Sequence, residues 1–170
     1  GPQDARHYAG IQSSQVRLGV ATLQVGDGTK TREALRTMST SEVEGERPKI
    51  TLQATREIAV LEDGTQAPGT DARAFIDHVD ELLRRGGNRD LLIYVHGANT
   101  DFERAAAQAA QFQHFLGHDA MVMVFAWPSA GSLLRYGRDV ATTRRSVSVF
   151  ARLLEQVSEH TQAAHLNVLA

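Results

Sequence analysis

Two short loops carry the residue types that could do chemistry. The apolar run Leu91-Leu92-Ile93-Tyr94-Val95 ends on His96-Gly97-Ala98-Asn99, and a helix-start pattern, Thr100-Asp101-Phe102-Glu103, follows at once. A glycine between a buried strand and a capped helix lets the backbone turn sharply, leaving the next amide, that of Ala98, to face outward. An outward N–H beside a helix N-terminus can stabilise the negative charge that grows on a carbonyl oxygen during acyl transfer. His96 and Gly97 are therefore candidates for an oxyanion loop, and the Ala98 backbone N–H for its donor. The same loop is also a plain strand-to-helix turn of any doubly wound fold, and His-Gly taken alone favours that plainer role. Asn99 either fixes the loop through its side chain or merely favours the turn, and its residue type does not separate the two.

The second loop is Phe125-Ala126-Trp127-Pro128-Ser129-Ala130-Gly131, again following an apolar run, Met121 to Phe125. It holds the chain's one tryptophan. A Trp at the end of a strand can wall a pocket, or it can cover the edge of the core, which is the commoner fate. Asn99, Trp127 and Ser129 are the substrate-binding candidates.

A nucleophile is harder to find. No G-x-S-x-G occurs, and Ser132 follows Gly131 without a second glycine or a strand before it. The absence of cysteine removes a thiol nucleophile, a thiolate metal site and a disulfide framework together, while leaving the redox compartment open. Among the 7 histidines, His114 and His118 are suitably spaced for a metal, but Gly117 interrupts the helix between them and no third ligand stands nearby, so no metal site is expected. A dinucleotide site needs several glycines after Val95 and only Gly97 is there; a phosphate-binding P-loop is missing too. No cofactor is expected. Asp139, in Tyr136-x-x-Asp139, suits a helix cap better than a role beneath the site. Arg135, Arg138, Arg144 and Arg145 read as a solvated helix face before an anion guide.

The elements that must position these loops are legible in the pattern. Gln15 to Val25 alternates, with Val16, Leu18, Val20 and Thr22 on one side and a turn at Gly26-Asp27-Gly28. Residues 27–48 form a polar connection. Over Lys49 to Leu61, Ile50, Leu52, Ala54, Ile58 and Val60 share one parity. These two segments predict antiparallel strands at one edge of a sheet. From Thr70, a good N-cap, the period changes to that of a helix with Phe75, Ile76, Val79, Leu82 and Leu83 on one face, stopped by Gly86-Gly87. Thr100-Asp101-Phe102-Glu103 reads as a capping box for a helix with Phe102, Ala105, Ala106, Ala109, Phe112 and Leu116 inward. A third helix is expected over about 138–158, with Val140, Val147, Phe150, Ala151, Leu154 and Val157 inward, before the short apolar strand Leu166 to Ala170. Strands without alternation are covered on both faces. Helices near 71–85, 101–116 and 138–158 between apolar strands at 90–95, 121–126 and 165–169 predict an α/β three-layer sandwich on a mainly parallel sheet, with the first strands antiparallel. Ligands bind such sheets at the carboxyl ends of the strands, where both loops fall.

Length and composition fit one domain. The chain has 170 residues, 42% hydrophobic and 22% charged, enough for one sizeable core. The net charge of -2 shows no basic excess, so no nucleic-acid partner is expected. No apolar run reaches the ~18 residues of a spanning helix. Gly1-Pro2-Gln3-Asp4 offers no basic, apolar leader, and Gly1-Pro2 fits the scar of an expression tag; the compartment, cytoplasm or periplasm, stays open.

Together YVHGAN-TDFERAAAQAAQF, VFAWPSAGSLLRYGRD and LNVLA resemble a bacterial family of unknown function within the α/β-hydrolase superfamily. Its pattern runs from a strand ending in VHG, through F-x-WPS and G-x-x-x-x-Y-x-x-D, to an apolar strand entering a serine elbow. RLGVATLQVG is similar to the family's N-terminal strand, and the likeness is loosest over about 27–85. The resemblance implies that residues 1–170 are the N-terminal portion of one α/β-hydrolase domain, with edge strands and linkers in 1–65 and helix/strand units in 70–170. It implies a serine hydrolase, esterase- or lipase-like, acting on a small ester or acyl substrate. Its Ser, Asp or Glu, and His would all lie beyond residue 170, in a missing C-terminal segment of the same protein. Ala98 stands where the family usually has a large aromatic, which keeps the backbone donor and implies a roomier acyl pocket. The alternative is a non-catalytic α/β-hydrolase-like module that binds a ligand or partner, since one fold hosts many functions. A small-x-Ser-x-Gly elbow in the residues that follow would favour the enzyme; a substituted serine, the module. A nucleotide-binding domain is disfavoured by the missing glycines.

Overall fold

A computed structural model describes residues 16–26, 49–61, 69–97, 100–117, 119–127 and 136–170, with only the backbone described over 136–145. The polar connection 27–48 and the His118 end of the candidate metal pair lie outside these residues.

Three strands, β3 (Asp90–Val95), β4 (Ala120–Phe125) and β5 (His165–Leu169), form a parallel sheet in the order β4-β3-β5. Its helices are α1 (Thr70–Arg85), α2 (Phe102–Phe115) and α3 (Tyr136–His160). The chain steps from β3 to one neighbour through α2, then back across β3 to the other through α3. Right-handed crossovers of opposite direction place those two helices on opposite faces. The side chains of β3 agree. Tyr94 turns to α2, where its hydroxyl donates to Gln108 Oε1 at 2.7 Å and its ring meets Phe112 edge-on at 5.1 Å. Leu91 and Ile93, both at 0% exposure, turn the other way into the core with Val79 and Leu83 of α1 and Leu153 and Val157 of α3. A strand covered on both faces can be apolar throughout, which is why this one does not alternate.

β1 (Val16–Val25) and β2 (Ile50–Leu61) pair antiparallel as expected, but as a separate two-stranded sheet instead of an edge of the parallel one. One reason sits on β4. Its outer edge is occupied by Gln113 of α2, whose Oε1 accepts from Val122 N–H at 2.8 Å and whose side-chain amide donates to the Ala120 carbonyl. A glutamine amide thus fills a rung that another strand would need. The hairpin joins the core through side chains, with Val16, Leu18, Ala59 and Leu61 buried. The expected parity of β2 fails there because the register skips Ile58, between Gly19↔Glu57 and Leu18↔Ala59. That bulge turns Ala59 and Leu61 inward in place of Val60. A second irregularity, between Thr22 and Leu23, leaves Thr22 exposed.

The helix ends moved by one residue. Gly69, not Thr70, occupies the N-cap of α1 and makes no side-chain bond there. Asp101, not Thr100, caps α2, accepting from Arg104 N–H at 2.8 Å. Ala105, Ala106 and Ala109 form its buried stripe, whereas Leu116 is exposed beside Gly117, whose φ of 63° ends the helix. Asp139 falls within α3, where only the backbone is described. The inward face of α3 is also rotated. Leu153, Gln156 and Val157 are buried, while Val147 is 60% exposed and Ala151 is exposed. The expected face took Ala151 and Leu154 where Leu153 and Gln156 are buried. Asp80 of α1, 8% exposed, accepts from Gln162 N–H at 2.7 Å and ties α1 to the turn between α3 and β5.

Candidate active site

The parallel register sets the geometry. Val95 pairs with Phe125, and Tyr94 with Leu169, so the three strands end level and Ala170 stands beside Val95. His96 is the first loop residue past that line on β3, and Trp127 the second on β4. They come together as the second loop's placement opposite the first requires. Ala98, Asn99, Pro128, Ser129 and residues 130–135 lie outside the described residues, and with them the donor amide and two of the three substrate-binding candidates.

His96 is 3% exposed, and both of its ring nitrogens are engaged by backbone. Its Nε2 accepts from Trp127 N–H at 3.1 Å, and its Nδ1 lies 2.8 Å from the Gly97 carbonyl oxygen. A backbone N–H can only donate and a carbonyl can only accept. The two contacts therefore demand the same neutral tautomer, with the proton on Nδ1. In this arrangement His96 has no nitrogen left to serve as a base.

Trp127 closes the link from the other side. Its indole Nε1–H donates to the His96 carbonyl at 2.8 Å, and its ring stacks on the imidazole with centroids 5.4 Å apart and planes 5° from parallel. That separation with near-parallel planes is an offset stack, the favourable arrangement for such rings. The indole also packs half-buried against the core. Trp127 thus covers a core edge and joins two loops at once.

The turn expected after Gly97 falls on Ala98 and Asn99, outside the described residues. The φ of Gly97 is not left-handed; among the described residues such values belong to Gly26, Gly117 and Arg89. Among the described residues, nothing lies within 4 Å of a Cβ built at Gly97.

Sequence reasoning singled out His96 and Trp127 but not the bonds between them. No periodicity signals an acceptor for a backbone N–H 31 residues away. Gln108 and Gln113, which anchor α2 to β3 and β4, were missed as well, and glutamines on the sheet-facing side of an alanine-rich helix were the available signal. Among the described residues no three His, Cys, Asp or Glu side chains gather into a metal-binding group.

Helices on both faces of a parallel sheet, with two joined loops at its carboxyl end, define the class: an α/β-hydrolase-like domain. A family model described as an alpha/beta hydrolase of unknown function (DUF900) matches residues 71–170, and the chain belongs to that family. The match runs from α1 through β5 and does not extend to the β1–β2 hairpin. Neither the curated proteins nor the solved structures gave a match.

Proposed function

We propose that this chain belongs to a serine hydrolase that cleaves an ester or related acyl bond of a small substrate. In this reading, a serine Oγ adds to the acyl carbon while its proton passes to a histidine. That proton then goes to the departing alcohol as the acyl–oxygen bond breaks, and water repeats the sequence to release the acid. The serine, the histidine and its acidic partner are assigned to residues beyond 170. The amide N–H of Ala98, with His96 and Gly97 forming its loop, supplies one oxyanion donor. Asn99, Trp127 and Ser129 flank the substrate.

The observation that carries the proposal is the level ending of β3, β4 and β5, with the His96–Trp127 link joining two of the three exits. In a parallel sheet that end is where ligands bind, and the family supports a hydrolase there.

The test is a fluorophosphonate probe applied to the natural full-length protein, followed by mapping of the labelled peptide. Labelling of a serine downstream of residue 170, together with hydrolysis of a short activated ester, is the expected result. A folded full-length protein that resists the probe would overturn the proposal in favour of a ligand-binding module of the same fold.

A further inference from the structure

Strand β5 buries little of itself. Of its 5 residues Leu166 alone is half-buried, and Val168 and Leu169 are 48% and 40% exposed. Polar contacts gather instead where β5 enters the sheet. His165 Nδ1–H donates to Asp90 Oδ1 at 2.7 Å, and Ala164 N–H donates to the Arg89 carbonyl at 2.8 Å. Among the described residues Arg89 is the one non-glycine with a left-handed backbone, at φ 53°. We propose that Arg89, Asp90 and His165 form a lock that fixes the register of β5 against β3, and with it the level at which the chain leaves the sheet at Ala170. All three act as positioning residues. The inference rests on the acyl-hydrolase reading above for its effect on rate, and the register stands apart from that reading.

Apolar patterning does not choose this register. Leu166 and Val168 pair with Leu91 and Ile93, which lie in the core that Leu166 also packs against. A slip of one residue would bring His165 and Asn167 to that face, so parity forbids it. A slip of two keeps parity, because Ala164, Leu166, Val168 and Ala170 alternate along one side of the strand. In either direction apolar residues would still stand against Leu91 and Ile93. The entry contacts do separate the registers. A two-residue slip would set Ala163 or Asn167 opposite Asp90 in place of His165, and would carry Ala164 N–H away from the Arg89 carbonyl.

A left-handed backbone is unfavourable for an L-residue with a side chain, and it persists where the surroundings hold it. Here the strained residue is the one whose carbonyl receives the amide just before β5. The ion pair beside it is exposed, with 75% of the His165 side chain and 30% of the Asp90 side chain open to solvent. Such a pair adds little to overall stability. Its weight falls on the choice between registers that apolar burial leaves nearly equal. The choice matters at the far end of the strand, since two residues of slip move it by about 6–7 Å. In the observed register Leu169 and Val124 both pair with Tyr94, so Ala170 arrives beside Val95, one residue before His96 and its bond to Trp127. A slipped β5 would deliver the chain above or below that level.

The experiment reads register and rate separately. In the 170-residue chain, NMR cross-peaks should link Ile93 to Val168 across the strands. The double variant Arg89→Val with Asp90→Ala disfavours the left-handed backbone and removes the carboxylate. Peaks from Ile93 to Leu166 or Ala170 should then replace the native ones, while those from Ile93 to Met123 on β4 persist. Arg89→Gly accepts the left-handed backbone and should keep the native peaks. Exchanging the partners, Asp90→His with His165→Asp, should keep them too. Asp80→Ala is the control: it frees the turn before β5 from α1 without touching β3, so stability should fall with the register intact. A β5 that stays in register in the double variant, or leaves the sheet without a new pairing, overturns the lock. If that variant does not fold, Asp90→Ala decides by the same peaks. In the natural full-length protein, kcat for an activated ester should fall by about 10² in the double variant at constant KM, and stay within about twofold of the wild type in Asp80→Ala. A shifted register with kcat unchanged overturns the positioning role. A wild type that does not react with the serine probe overturns the hydrolase reading and leaves the lock to the NMR result.

Discussion

Among the described residues nothing lies within 4 Å of a Cβ built at Gly97, and the backbone there does not use the left-handed region. A glycine chosen for a tight turn and a glycine chosen to keep space clear respond differently to substitution. Gly97→Ala should leave thermal stability within about 2 °C of the parent. It should nevertheless cut ester hydrolysis by the full-length protein by about 10–100-fold, since a methyl group at the cleft displaces the reacting carbonyl. A thermal melt and a rate assay on the same sample check both halves; a large loss of stability with activity retained would make Gly97 a turn residue. Ala98→Pro removes the proposed N–H itself, so rates should fall by about 10²–10³ with the probe-reactive serine still present. Its melting temperature must be followed in parallel, because proline also strains the loop. Asp80 gives a purely structural counterpart. Its carboxylate is the buried acceptor for Gln162 N–H, and Asp80→Ala should destabilise the chain by about 1–3 kcal/mol, measured by urea unfolding, with site chemistry untouched. At this scale residue types were readable and partners were not. His96 and Trp127 stand out by position, but their bonds cross between strands far apart in sequence. The left-handed φ of 53° at Arg89 carries no signal at all.

Elements were more legible than residues where burial was symmetrical. β3 and β4 are continuous apolar runs because helices cover both faces, and such a run can be recognised without a partner. Legibility failed where a polar side chain took a buried place, or where one extra residue changed a strand's parity. Gln156 belongs to the inward face of α3 and shifts that face away from Val147. Ile58 bulges from β2, so alternation counted from Ile50 predicts the wrong side by Ala59. Gly19, opposite that bulge, is fixed by close approach. A Cβ there would collide with the Arg56 carbonyl oxygen, so Gly19→Ala should destabilise the hairpin by about 1–3 kcal/mol in denaturant unfolding. Gln113 makes the most specific element-level prediction. Gln113→Leu keeps the helix but leaves Val122 N–H and the Ala120 carbonyl without their side-chain partners. The expected loss is about 1–2 kcal/mol, or roughly 2–8 °C in melting temperature. An unchanged melt would show that water replaces the glutamine at no cost.

For the whole molecule, the α/β class and the family follow from 71–170, while among the described residues the β1–β2 hairpin joins the rest through the core it shares. The 170-residue chain by itself should hydrolyse no activated ester above a buffer blank and take up no fluorophosphonate, because an oxyanion donor without a nucleophile has nothing to stabilise. Label on this chain would reveal a nucleophile within its own sequence. The glutamine on β4 has a consequence of another kind, concerning how the parallel sheet can grow. A sheet with two equal edges can add copies at both ends and propagate without limit. Here one side begins with a rung already taken by the molecule's own amide, while β5, among the described strands, has a neighbour on one side only and leaves Val168 and Leu169 about half exposed. Gln113 thus takes from β4 a rung at which a further strand would otherwise add.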